Sequence, residues 1–384
     1  MNTTDVFIMI VVNRRMGVMK YRVGIIGATG MVGQRFLSLL KDHPWFEVVL
    51  LAASSRSAGK KYRDAVGDKW AFPWPIPEKY ADMIVKDTAD VESFRDSVDF
   101  VFCAVNLGKA EVRELEERIA RCEIPVISNN SACRGLNDVP MIIPELNADH
   151  AKVIEQQKKR LGTKRGFIAV KPNCSIQSYV PAITPLLEYE PEKISVCTYQ
   201  AISGAGKTFA TWPEMVDNVI PFISGEDEKS EQEPLKIWGK VQKIDGKLQI
   251  VNAQLPVISA QCLRVACSDG HMAAVSVSFK HKPTMEQILD KWRNFNTLPQ
   301  ELELPSAPKP FLQYFDDPSR PQTRLDRDFE NGFGVSIGRL REDRIFDYRF
   351  VCLSHNTVRG AAGGGILSAE LLCRQGYITA KGDQ

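Results

Sequence analysis

The chain has 384 residues, 44% of them hydrophobic and 25% charged, with a formal net charge of +2. That composition supports one large or two medium globular cores, and the near-neutral balance gives no footing for a nucleic-acid or anionic-membrane partner. Its nine cysteines are scattered, with no CxxC pair, which speaks against a disulfide framework and against thiolate zinc; we expect no metal and a reducing, cytoplasmic setting.

The N-terminal stretch "MNTTDVFIMIVVNRRMGVMK" carries a short apolar run, Val6 to Val12. It is too short to span a bilayer, and it lacks the flanks of a signal peptide. Residues 1–20 are expected to be a disordered extension, with Met19 near the natural start. From "YRVGIIGATGMVGQRFLSLLKDHPWFEVVLLAA" onward the pattern is strand, Gly-rich turn, helix, strand. Val23 to Ile26, Val48 to Ala53, "VDFVFCAVN" and "IPVISNNSA" are short, continuous apolar runs, and the helices "MVGQRFLSLL" and "KAEVRELEERIARC" lie between them. Such alternation predicts a doubly wound parallel sheet covered on both faces, a Rossmann-like α/β domain. From about residue 167 the strands lengthen and alternate ("KISVCTYQAIS", "HMAAVSVSFK", "VSIGRLREDRIFDYRFVCLS"). This predicts an α+β second domain with a mixed sheet. Residues 212–240 read as long, charged and irregular, and "HNTVRGAAGGGILSAELLCRQ" as a helix after a small-residue start. The expected division is 21–155, completed by 356–384, for a dinucleotide domain, and 156–355 for catalysis and dimerisation.

Gly27, Gly30 and Gly33 form G-x-x-G-x-x-G between the first strand and helix. The turn Gly27-Ala28-Thr29-Gly30-Met31-Val32 is suited to a pyrophosphate, through helix N-terminal amides and close backbone approach. The plain alternative is a tight βα turn without a ligand. An acid commonly ends the second strand when NAD is bound. Here the strand runs into "AASSRSAGKKY", where Ser54, Ser55, Arg56, Ser57 and Lys60 offer hydroxyls and cations suited to a 2′-phosphate. NADP is favoured over a merely solvated basic loop.

Cys174 stands in "AVKPNCSIQSYVPAI". It could be a core residue, a metal ligand, half of a disulfide or a nucleophile. It follows a strand and opens a helix, where a thiolate is favoured. In "LRVACSDGHMA", Arg264 interrupts an apolar strand, as a guanidinium awaiting a carboxylate or phosphate would, and His271 is a candidate general base rather than a satisfied surface histidine. In "TYQAISGAGK", Gln200 ends a strand beside the small residues Ser203, Gly204, Ala205 and Gly206, a loop able to pass under a nicotinamide. The charges of "GEDEKSEQEPLKIWG" have a solvated helix face as their ordinary reading.

G-A-T-G-M-V-G, P-N-C-S, T-Y-Q-A-I-S-G-A-G, the E-x-x-K of "GEDEK", R-V-x-x-x-D-G-H and "HNTVRGAAGGG" follow one another from about residue 20 to 384. In this the chain resembles the aspartate-β-semialdehyde dehydrogenase family, nearest its archaeal and fungal branch. The resemblance implies NADPH-dependent reductive dephosphorylation of L-aspartyl-4-phosphate to the semialdehyde, a step toward lysine, threonine and methionine, by a homodimer or homotetramer. It implies Cys174 as nucleophile, His271 as general acid/base and Gln200 as the group orienting the acyl. It gives the substrate α-carboxylate to Arg264 and the α-amino group to Glu226. Phosphate goes to Lys229 and Arg134, and Asn173 positions the thioester carbonyl. Asn356 would lie near the nicotinamide. "SNNSACRG" departs from the S-N-A-S-x-x-R expected around Arg134, with Asn130 and Cys133. Three other readings share features: an acyl-CoA reductase such as malonyl-CoA reductase, N-acetylglutamyl-phosphate reductase, and a non-catalytic NADP-binding sensor. The first two keep the cysteine chemistry but have no free substrate ammonium for Glu226. The third has no use for Cys174, Gln200, Arg264 and His271 together.

Overall fold

A computed structural model describes residues 20–381. The expectation for the N-terminal extension therefore falls almost wholly outside the described residues. The first sheet comprises β1 (Tyr21–Ile26), β2 (Phe46–Ala53), β3 (Lys86–Asp87), β4 (Phe100–Cys103), β5 (Val126–Ser128) and β6 (Ile168–Val170). Their order is β3-β2-β1-β4-β5-β6 and every pairing is parallel. Strand order reverses between β1 and β4, the place where doubly wound sheets open a ligand crevice at the carboxyl ends. The expected α/β domain is present. Its sixth strand, however, comes from 168–170, beyond the boundary expected at 155. Three residues of "FIAV" are too short a run to mark a domain edge by pattern alone, and pairing of Val126 with Ile168 supplies what the run lacks.

The remaining strands are β7 (Pro191–Gln200), β8 (Val219–Ile220), β9 (Lys240–Ile244), β10 (Lys247–Val251), β11 (Val257–Val265), β12 (His271–Phe279), β13 (Leu312–Phe315), β14 (Val335–Glu342) and β15 (Tyr348–Ser354). Seven form a mixed sheet in the order β13-β14-β15-β12-β7-β11-β8, while β9 and β10 pair as a separate hairpin. β11 runs parallel to β7 and β12 antiparallel to it, so Gln200 at the end of β7 is paired with Arg264, and Tyr199 with Met272. Three adjacent strands thus deliver Gln200, Arg264 and His271 to one end of the sheet. The segment expected to be irregular at 212–240 contains the helix Glu226–Ile237. Its buried positions include Glu226, Ser230, Glu233 and Lys236, so an apolar stripe is missing and the helical period is carried by polar residues instead.

β15 ends beside His271, with Ser354 opposite it in register. The chain then passes through a tight turn, Val358–Ala362, into the helix Gly363–Arg374. Ile366, Leu367, Leu371 and Leu372 of this helix share one apolar cluster with Val23, Ile25, Phe36 and Phe102 of the first sheet and its helix. A buried ion pair anchors the return. Arg359 donates to both Glu145 oxygens at 2.6 and 2.5 Å, and its guanidinium lies over the Phe311 ring. Glu145→Gln leaves that guanidinium buried without its counter-charge. We expect a loss of about 3–5 kcal/mol in a urea titration followed by fluorescence.

Candidate active site

Cys174 stands just before the helix Ile176–Ile183, largely buried at the meeting of the two sheets. Its Sγ is 3.4 Å from His271 Nε2. Nδ1 of the same ring accepts the Ala201 amide at 3.1 Å. With Nδ1 accepting, a neutral imidazole carries its proton on Nε2, toward the sulfur. The ring therefore meets the sulfur as a donor, the acid half of an acid/base role. Burial holds the His271 pKa well below its ordinary value, and the Arg264 charge adds to this against a smaller opposing effect of the Gly270 carbonyl. Burial also pushes the Cys174 thiol up, as does the Glu226 charge, while Lys171, Arg134 and Arg264 work the other way. A helix start alone led us to expect a depressed thiol; desolvation is the larger effect here.

The ordinary reading of "GEDEK" put Glu226 on a solvated helix face, while the resemblance put it in the site; the structure overturns the first. Glu226 is buried. It accepts from Asn173 Nδ2 at 3.0 and 3.1 Å, from Gln200 Nε2 at 3.1 Å and from Lys229 Nζ at 2.8 Å. Burial opposes its ionisation, yet Lys229, Gln200 and Asn173 together hold the carboxyl below its ordinary range. The Asn173 Oδ1 accepts from the amide and hydroxyl of Ser175, both at 2.7 Å. Asn173 is thereby locked on both sides of the nucleophile's own segment.

Arg134 Nη1 pairs with Glu233 Oε1 at 2.8 Å, and the other Glu233 oxygen accepts the Asn173 amide at 2.6 Å. Lys236 donates to the carbonyls of Arg134, Leu136 and Val139 at 2.6, 2.6 and 3.0 Å, fixing the loop that carries Arg134. Arg264 Nη1 donates to the Ala201 carbonyl at 2.7 Å; no carboxylate forms an ion pair with it among the described residues. A Cβ at Gly204 would lie 2.8 Å from Arg264 Nη1 and 3.0 Å from the His271 ring. Only glycine leaves that face of the site open. Asn356 ties the parts together, its Nδ2 donating to Ser203 Oγ and its Oδ1 accepting from the Gly270 amide, both at 2.8 Å.

The Gly-rich turn behaves differently from the expectation in one respect. The amides of Gly27 and Ala28 donate to the Ala52 carbonyl at 2.8 and 3.0 Å. They are spent on joining β1 to β2. The first-turn amides at Met31 and Val32, which have no intrahelical acceptor, are the donors suited to a phosphate. Tyr62 and Gln34 brace the turn by donating to the carbonyls of Ala28 and Thr29. Ser54, Ser55 and Arg56 are exposed and Ser57 half-buried directly after β2, with no acid among them. This set fits a dinucleotide bearing a 2′-phosphate. Among the described residues no group of three or more His, Cys, Asp or Glu is arranged to hold a metal ion, and no helix is long and apolar enough to cross a membrane.

Two family models match the chain. One is described as semialdehyde dehydrogenase, NAD binding domain, over residues 22–154, and the other as semialdehyde dehydrogenase, dimerisation domain, over 183–359. The aspartate-semialdehyde dehydrogenase of Aspergillus fumigatus is 41% identical over 94% of this chain and 99% of its own length. That of Archaeoglobus fulgidus is 40% identical over 94% of this chain and 100% of its own. The chain belongs to the aspartate-semialdehyde dehydrogenase family. A crystal structure of the Candida albicans enzyme with NADP is similar at 38% identity and a TM-score of 0.83, covering 94% of this chain and 100% of that one. A Vibrio cholerae enzyme at 24% identity and a TM-score of 0.70 shares the fold.

Sequence reasoning missed Lys171, Ser230, Glu233 and Lys236. The last three repeat at helical spacing behind Glu226, a signal that was available in "GEDEKSEQEPLKIWG" had polar residues been allowed as a buried face. One consequence of the His271 environment is directly measurable. Its lowered pKa means it stays neutral as pH falls through about 6.5, where an ordinary histidine takes up a proton. NMR of the ring protons should show no charge titration between pH 8 and 6; a midpoint near 6.5 would contradict the buried geometry.

Proposed function

We propose that the chain catalyses NADPH-dependent reductive dephosphorylation of L-aspartyl-4-phosphate to L-aspartate-4-semialdehyde. The observation that carries this is the 3.4 Å contact between Cys174 Sγ and His271 Nε2, set beside a buried Arg264 that has no ion-pair partner among the described residues. The Cys174 thiolate attacks the acyl phosphate carbon, and a tetrahedral intermediate collapses with loss of phosphate toward Arg134 and Lys229. Gln200 orients the acyl oxygen. Arg264 takes the α-carboxylate. Glu226 takes the α-ammonium, which would replace one of the donors it now holds. NADPH, when bound, would supply the hydride for reducing the thioester, and Thr29, Met31, Val32, Ser54 to Ser57, Ser203, Gly204 and Asn356 are the residues that would hold it. His271 then receives the thiohemiacetal proton or gives one to the sulfur as the carbon–sulfur bond breaks.

We assign the dinucleotide role to 21–155 with 356–384, together with the strand at 168–170, and catalysis to the rest. The face of the mixed sheet bearing Val219, Phe222 and Val257, each more than half exposed, suits a second copy, so a homodimer, or a tetramer of such dimers, is the expected assembly. Free cysteines throughout suit the reducing cytoplasm.

The reverse reaction tests the assignment. Semialdehyde and NADP⁺ should yield NADPH only when phosphate is added, and malonyl-CoA with NADPH should give no turnover. Activity with the CoA ester alone would remove Glu226, Lys229 and Arg134 from their roles. Cys174→Ala should fall to background, and His271→Asn should lose about 10²- to 10⁴-fold in kcat. Arg264→Leu should lower kcat/KM for semialdehyde; an unchanged value would take Arg264 out of the site.

A further inference from the structure

Lys171 is buried three residues before the nucleophile, and no role falls to it in the chemistry above. Its Nζ donates to the carbonyls of Pro172 and Gly360. Both carbonyls belong to residues close to Cys174. Pro172 belongs to the nucleophile's own segment, and Gly360 lies so close beneath that a Cβ there would sit 2.8 Å from the Cys174 Cβ. The ammonium is thus wedged where the C-terminal turn crosses under the reactive residue.

The surrounding charges show why this matters. Each buried carboxylate nearby already has a cation: Glu233 has Arg134, Glu145 has Arg359, and Glu226 has Lys229. Lys236 gives its three protons to three carbonyls. Besides Lys236, and Arg35 stacked on Phe72, two buried cations close to Cys174 have no ion-pair partner among the described residues. Arg264 faces the substrate pocket, where a carboxylate is to bind. Lys171 has only two neutral acceptors, and an uncompensated buried ammonium is costly. The one ionisable acid beside it not already claimed is the Cys174 thiol.

We propose that Lys171 is a positioning residue for this reaction: held by the Pro172 and Gly360 carbonyls, its ammonium is the counter-charge that stabilises the Cys174 thiolate before acyl transfer. The proposal rests on the reading of Cys174 as the nucleophile. The groups that face this pair agree with it. Burial brings the Lys171 amine down to about 7, Arg134 and Arg359 push the same way, and Cys174 and Glu233 favour its charged form. On the sulfur, burial and Glu226 disfavour the thiolate, and Lys171 leads Arg134 and Arg264 in favouring it. The His271 ring, at 3.4 Å from the sulfur, is kept neutral chiefly by burial and the Arg264 charge, and the Lys171 charge adds a smaller push the same way. The thiol and the amine therefore titrate as a pair. The value of about 7 for the lysine already includes the support of the Cys174 charge, so without the thiolate the amine would lose its proton at lower pH.

The test is the pH dependence of Cys174 alkylation. Wild type and Lys171→Met are treated with iodoacetamide from pH 6 to 10, with labelling of the Cys174 peptide read by mass spectrometry. Loss of a nearby opposite charge should move the profile up by about one unit or more, so that labelling at pH 7 falls about tenfold or more. A folded variant with the wild-type profile would overturn the proposal and leave Lys171 as a filler of two carbonyls. Labelling that does not inactivate the wild-type enzyme would instead overturn the reading of Cys174, and this proposal with it. Should Lys171→Met fail to fold, the reciprocal measurement applies. The Lys171 amine, followed by NMR of lysine-labelled protein, should titrate at lower pH in Cys174→Ser than in wild type, and identical midpoints would overturn the proposal.

Discussion

A carboxylate that bonds two things at once holds this site together. Glu233 grips the Arg134 guanidinium with one oxygen and the Asn173 amide with the other. One turn earlier on the same helix face, Ser230 meets the Ser175 hydroxyl at 3.1 Å and its carbonyl accepts from Tyr179 at 2.5 Å. A further turn back, Glu226 gathers Asn173, Gln200 and Lys229. The helix Glu226–Ile237 thus docks by its polar groups, and its Asp227 and Glu231 side chains complete the joint by accepting amides of β11 at 2.8 and 3.0 Å. Bonds to charged groups are stronger than neutral ones and are directional. A helix held this way fixes the Cys174 segment, Gln200 and Arg134 in one frame, which an apolar stripe of equal area would leave free to slide.

The same economy governs charge. Around Cys174 the buried acids and bases are matched almost one to one, and satisfied ions of this kind add specificity rather than bulk stability. What is left unmatched is informative. Among the described residues Arg264 and Lys171 have no ion-pair partner, and the proposed chemistry would bring two anions to the site: a substrate carboxylate and a thiolate. Burial makes both histidine and thiol resist charge, so the resting site is kept nearly neutral at the point where a negative intermediate must form, with fixed positive charge close by. Such preorganisation is the usual source of large rate effects.

The C-terminal segment joins the two halves. It leaves β15 next to His271, holds Ser203 and Gly270 through Asn356, passes beneath Cys174 at Gly360, and enters the core of the parallel sheet. The segment after β15 thereby links the Cys174–His271 neighbourhood to the core around the Gly-rich turn. The Arg359–Glu145 pair fixes the crossing point.

The sequence by itself determined the parallel sheet, the mixed sheet, the Gly-rich turn and the order of the motifs, because each depends on local runs: apolar stretches of four to eight residues, glycines at a turn, a cysteine at a helix start. It also marked Gln200, Arg264 and His271, whose residue types are unusual for the strand ends they occupy, and Cys174 at its helix start. It could not show that Glu226, Ser230, Glu233 and Lys236 form a buried face, since a charged helix looks the same in sequence whether water or Arg134 and Asn173 satisfies it. Nor could it attach β6 to the first sheet, reserve Gly27 and Ala28 for the Ala52 carbonyl, or set Lys171 under the nucleophile. Those depend on partners many residues away in the chain, and only the tertiary structure decides which donor meets which acceptor once water has been removed.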